Sequence, residues 1–71
     1  MPRLFSSKHI VNILEKNGFF FVSQKGSHAK YVKNNKDIRL IVIVPANRKE
    51  IPQGTFHSIL KQSALKKADF E

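Results

Sequence analysis

Residues 19–44 read FFFVSQKGSHAKYVKNNKDIRLIVIV, and this stretch decides the fold. Phe19 to Gln24 is aromatic and β-branched, which predicts a strand. Lys25-Gly26 is a turn signal, because glycine takes positive φ without steric cost. His28 to Lys33 then alternates, with His28, Lys30 and Val32 on one face and Ala29, Tyr31 and Lys33 on the other. Asn34-Asn35-Lys36-Asp37 is a second turn cluster. Ile38 to Val44 is the strongest strand, closed by Pro45, which has no N–H to give to a ladder. Connections this short join antiparallel neighbours, so the stretch predicts a three-stranded meander. Phe19, Phe20 and Phe21 cannot all face one side; two are expected in the core, which leaves Phe20 for the open sheet face or an interface.

On the N-terminal side, Ile10, Val11, Ile13 and Leu14 recur at helical spacing within residues 7–17. Ser6 or Ser7 can cap that helix, and Gly18 suits its C-terminal exit. On the C-terminal side, a polar loop holds Arg48, Lys49 and Glu50. After Pro52, the residues Phe56, Ile59, Leu60 and Ser63 or Ala64 mark a second helix. The order is α-β-β-β-α, an α+β domain with both helices on one face of the sheet. Residues 1–71 are expected to form one domain, with 1–5 and 66–71 as loosely ordered ends. The C-terminal tail has room for one further turn anchored by Leu65 and Phe70.

The chain has 71 residues, with 13 Lys+Arg against 5 Asp+Glu and a formal charge of +8. A field of that size on so small a domain draws in polyanions. Hydrophobic residues make up 41%, enough to offset chain entropy by burial rather than remain disordered. With no cysteine there is no disulfide, no thiol nucleophile and no Cys-containing zinc site. The longest unbroken apolar run, Leu40 to Val44, is far short of the ~20 residues a membrane helix needs. The N-terminus lacks the apolar stretch of a secretory signal. The expectation is a cytoplasmic protein with no membrane partner.

Elimination narrows the chemistry. No two carboxylates are spaced to pair, and His9, His28 and His57 form no metal-ligand spacing. The glycines at 18, 26 and 54 build no phosphate loop, and no serine has a nucleophile-elbow setting. Catalysis here is expected to need neither metal nor cofactor. RNA suits such an economical site, since its own 2′-hydroxyl is the nucleophile. The protein need only take that proton and stabilise the crowded phosphorus. His28 is the best base, at a strand start after the Lys25-Gly26-Ser27 turn, with Lys30 two residues on along the same face. The lysines could hold the phosphate. The residues alone also allow His28 to be a solvated strand start. His57 falls on the polar side of the second helix, and His9 in the first turn of the first, with a solvated or capping role. Tyr31 is a packing aromatic that could also stack on a base. Lys33, Lys36, Arg39, Arg48 and Lys49 are individually ordinary charges, but too many to be balanced internally.

The ordered set Gly18-Phe19, Gln24-Lys25-Gly26-Ser27-His28, Val44-Pro45, Gly54-Thr55 and Ser58-Ile59-Leu60-Lys61-Gln62 resembles the HicA family. These are small mRNA interferase toxins of HicAB toxin–antitoxin pairs. The resemblance covers residues 6 to 70. It implies a double-stranded-RNA-binding-domain-like fold and places His28 at the family's catalytic histidine, with Gly26 and Ser27 shaping the turn before it. It implies mRNA as substrate. It also implies a HicB-like antitoxin over the active face: a monomer when free, a hetero-oligomer with its partner. Many relatives carry a histidine after the proline that closes strand three. This chain has Ala46-Asn47-Arg48 there, so Arg48 or Lys49 would supply the charge. It also has Ala29 where relatives often carry a polar group. The phosphate-binding set is then Lys25, Gly26, Ser27, Lys30, Arg48 and Lys49, around His28 as base. The alternatives are a non-catalytic RNA-binding module of the same fold and a basic protein that binds only an acidic protein.

Overall fold

Ser6 stops the chain from entering a helix earlier: its backbone is extended and its hydroxyl accepts the His9 N–H at 3.0 Å. The computed structural model, which describes residues 4–71, therefore begins with helix α1, Ser7–Lys16. Asn17 ends it and Gly18 takes φ +94°, the left-handed exit expected of a glycine there. A Cβ there would only touch the Lys33 side chain, so the positive φ is what calls for glycine.

Strands β1 (Phe20–Lys25), β2 (His28–Asn35) and β3 (Ile38–Pro45) follow in one antiparallel sheet of order β1-β2-β3. Helix α2 spans Gln53–Ser63, and a 3₁₀ turn spans Lys67–Phe70. The order and the antiparallel meander are those expected from the sequence. Strand bounds differ in detail. β2 runs on to Asn35, because Lys36 adopts φ 53° and closes the hairpin with Lys36-Asp37 alone, and β3 takes in Pro45, which pairs with His28 at the other end. A non-glycine residue pays about 1–2 kcal/mol for that conformation, and ladder hydrogen bonds on both sides offset it. Phe19 lies before β1, buried in the connection from α1. The β1–β2 register shifts between Phe21 and Ser23, a bulge at Val22.

The core lies between the helices and one sheet face. Ile10 and Leu14 of α1 and Phe56 and Ile59 of α2 pack with Phe19, Ala29, Tyr31, Val42, Val44, Ile51 and Phe70. Two expectations are corrected here. The ends are not loose: Phe5 is buried and its carbonyl accepts the Ile51 N–H at 2.8 Å, and Phe70 is completely buried, edge-on to Phe56 at 5.3 Å. Residues 1–3 of the expected N-terminal tail lie outside the described residues. Nor is His9 merely solvated or capping. Its ring stacks on Phe5 at 4.8 Å and its Nε2 donates to the Phe70 carbonyl, so it fastens the C-terminal turn to α1. Apolar burial made the difference: Phe5 and Phe70 each gain a pocket that a polar tail would lack.

Candidate functional site

The β1–β2 hairpin turns on Gly26-Ser27, with Gly26 at φ +59° and Lys25 directly opposite His28. His28 is the first residue of β2, exposed, and flanked on its other side by Pro45 at the end of β3. Pleat alternation fixes its direction. Ala29 and Tyr31 point into the core, so His28, Lys30 and Val32 point to the open face.

The segment after β3 is held against this hairpin from two sides. The Ala46 N–H donates to the Ser27 carbonyl at 2.7 Å. Ser7, buried at the start of α1, takes the other side. Its hydroxyl donates to the Pro45 carbonyl at 2.5 Å and accepts the Arg48 N–H at 2.9 Å. Its own N–H donates to the Arg48 carbonyl at 2.9 Å. Asn47, at φ 58°, makes the bend between these anchors. One serine thus ties the first helix to the loop that carries Arg48.

That arrangement leaves an open groove of about 340 Å³. Ser27 and His28 line one wall, Arg48 and Pro45 the end, and Pro52, Thr55, Ser58 and Gln62 of α2 and its approach the other wall. Among the described residues, no carboxylate borders it. The α2 start has no side-chain cap, and the Phe56 N–H donates to the Pro52 carbonyl at 2.9 Å. The N–H groups ahead of it therefore have no helical partner, and the positive end of the helix lies at the groove. The Gln62 amide oxygen accepts the Ile43 N–H at 3.0 Å, which fixes α2 along the outer edge of β3.

Of the residues expected at a site, Ser27, His28 and Arg48 are brought together in this groove. Gly26 shapes the turn, Lys25 is the cross-strand partner of His28, and Lys30 stands half-buried one step along the same face. Lys49 is exposed and does not line the groove, so of the two cations Arg48 is the one placed with Pro45 there. Sequence reasoning missed Thr55, Ser58 and Gln62 as groove residues. Their spacing of three and four was the available signal, a polar stripe along α2 opposite Phe56 and Ile59. Tyr31 is not a base platform. It faces the core against Phe21, ring centres 5.7 Å apart, and burial together with the Glu15 carboxylate pushes its hydroxyl pKa above 10. Phe20 does stand on the open face, 49% exposed, but only Phe19 of the other two is in the core: Phe21, expected there, is 52% exposed.

Among the described residues, no three His, Cys, Asp or Glu side chains gather as a metal-binding group, and no helix is long and apolar enough to cross a membrane. A family model described as the HicA toxin of bacterial toxin–antitoxin systems matches residues 7–70. No curated protein matches the chain.

Proposed function

The chain belongs to the HicA family, the toxins of bacterial toxin–antitoxin systems, and on that premise we propose that it is an endoribonuclease that cuts mRNA in the groove at His28. The observation that carries the reading is the convergence of His28, Arg48, Ser27 and the uncapped start of α2 on one carboxylate-free groove. The His28 imidazole takes the proton of the ribose 2′-hydroxyl. The freed 2′ oxygen attacks the adjacent phosphorus, and the bond to the 5′ oxygen breaks. Solvent in the open groove supplies that oxygen with its proton. The products are a 2′,3′-cyclic phosphate and a 5′-hydroxyl. Arg48, whose guanidinium can hold two phosphate oxygens at once, and Lys25 stabilise the charge that builds up on the phosphorane. Ser27 and Gly26 set the angle at which His28 meets the phosphate. Lys30 takes the next phosphate along. Lys49 adds to the field from outside the groove.

The partner is an antitoxin, here a HicB-like protein that covers His28 and the groove and competes with RNA. Positive charge on this face favours fast association with acidic side chains.

The test is His28→Ala. It should abolish growth arrest and RNA cleavage while Tm stays within about 2 °C, since an exposed strand-start side chain contributes little packing. Wild-type cleavage should survive EDTA and fail on RNA with a 2′-deoxy sugar at the scissile position. A toxic, well-expressed His28→Ala protein would instead favour a non-catalytic RNA-binding module.

A further inference from the structure

The open face of the sheet extends well past the groove. The strands FFVSQK, HAKYVKNN and IRLIVIVP contain no aspartate or glutamate. Register places the open-face residues in rows. His28 lies between Lys25 and Pro45, Lys30 between Ser23 and Ile43, Val32 between Phe20 and Ile41, and Asn34 beside Arg39. Successive rows are about 7 Å apart, twice the rise per residue of a strand. Lys30 is therefore ~7 Å from His28 along β2, the Phe20 row ~14 Å and the Arg39 row ~20 Å.

Along that line the Lys25 and Lys30 rows come first, an apolar row of Phe20, Val32 and Ile41 follows, and Arg39 closes it. Phe20 is 49% exposed, Ile41 40% and Ile43 37%, while Val32 between Phe20 and Ile41 is buried. Soluble proteins seldom leave such a lane uncovered without a ligand for it. Ile43 belongs both to this face and to the groove, so the two surfaces are continuous.

We propose that single-stranded RNA lies along this face, its scissile phosphate at His28, neighbouring phosphates on Lys30 and Arg39, and an unpaired base stacked on Phe20. The proposal rests on the ribonuclease reading of the groove. A duplex fits the surface poorly, because its bases are stacked on each other and offer no face to an aromatic ring. An extended strand offers phosphates to the cations on either side and an unpaired base to the Phe20 row between Lys30 and Arg39.

The test uses the His28→Ala protein and fluorescein-labelled RNA: a dinucleotide, an unstructured octamer, and a hairpin duplex. The octamer should bind more tightly than either of the others. Phe20→Ala should weaken octamer binding about tenfold and remove most of the affinity gained on lengthening, while Phe20→Tyr, which keeps a stacking ring, restores it. Arg39→Ala should weaken octamer binding and flatten its salt dependence, whereas Lys66→Ala on the opposite tail changes neither. Circular dichroism confirms that each variant is folded. Octamer binding that ignores Phe20, or tighter binding of the duplex, overturns the path. So does a Phe20→Ala protein that loses affinity for an acidic antitoxin but not for RNA, since the lane then belongs to the protein partner. The two readings fail separately. If wild-type protein cuts no RNA yet octamer binding depends on Phe20, cleavage falls and the path stands. If it cuts RNA and Phe20 is irrelevant, the path alone falls.

Discussion

Replacing Ser7 by alanine removes one oxygen and unties two parts of the molecule. The hydroxyl donates to the Pro45 carbonyl at 2.5 Å and accepts the Arg48 N–H at 2.9 Å, and the residue is 6% exposed. Alanine leaves that acceptor and that donor without a partner. An unsatisfied buried group costs about 1–3 kcal/mol, and because the loop can turn partly to water the lower end applies to each. The sum is about 2 kcal/mol. For a domain of this size that lowers Tm by roughly 8–16 °C. The Ser7 N–H still reaches the Arg48 carbonyl, so the loop loosens but stays attached. Arg48 then drifts from the groove, and kcat should fall while the affinity for long RNA, spread over many phosphates, changes less. Thermal denaturation gives the first quantity, cleavage kinetics the second, and amide exchange at Arg48 reports the bond itself. Ser58→Ala is the stability control, because that exposed hydroxyl only reaches the Gly54 carbonyl one turn back and its removal should stay within about 0.5 kcal/mol. A Ser7→Ala protein that melts within 2 °C or so of wild type and keeps the Arg48 amide protected would refute this reasoning.

Ala64 ends α2 at φ 60° and ψ 20°, so Ala64→Gly should raise stability by about 1 kcal/mol, measured by urea denaturation. Tyr31 has its hydroxyl pKa raised by burial and by Glu15, so the unfolded chain gives up this proton at lower pH than the folded one. Its contribution is complete below pH ~10 and is lost as pH rises beyond that; Tyr31→Phe should flatten this alkaline slope in denaturation curves. Lys25→Ala and Lys30→Ala should weaken RNA cleavage more than Lys66→Ala or Lys67→Ala, and the salt slope of RNA binding should fall by about one for each phosphate no longer held. Equal effects at all four lysines would mean that the field is diffuse and the active face lies elsewhere.

The elements were legible where local chemistry is decisive. Gly18 and Pro45 punctuate their neighbours by backbone geometry alone, and the alternation of Ala29 and Tyr31 with His28 and Lys30 fixes which side of β2 is dry. Lys36 gave no such signal, because nothing in a lysine announces a left-handed turn; the register of the whole ladder imposes it. The same holds for His9 and Phe70, 61 positions apart and joined only after folding. At the groove, His28 and Arg48 could be named as chemistry-bearing residues from the sequence. That Thr55, Ser58 and Gln62 face them could not, because a helix periodicity reveals a polar stripe without revealing what it is turned towards. Choosing Arg48 over Lys49 needed the Ser7 anchor, a hydrogen bond across 41 positions.

The Gln62 amide that accepts the Ile43 N–H has a consequence for how copies of this chain meet. A β-sheet grows by adding strands at both borders, and unlimited growth needs two open ones. Here the border along β3 is blocked at Ile43, where an incoming strand would have to evict Gln62. The border along β1 is short and kinked at Val22. Neither border is then an uninterrupted template for repeated strand addition, and on the β3 side a single glutamine supplies the interruption.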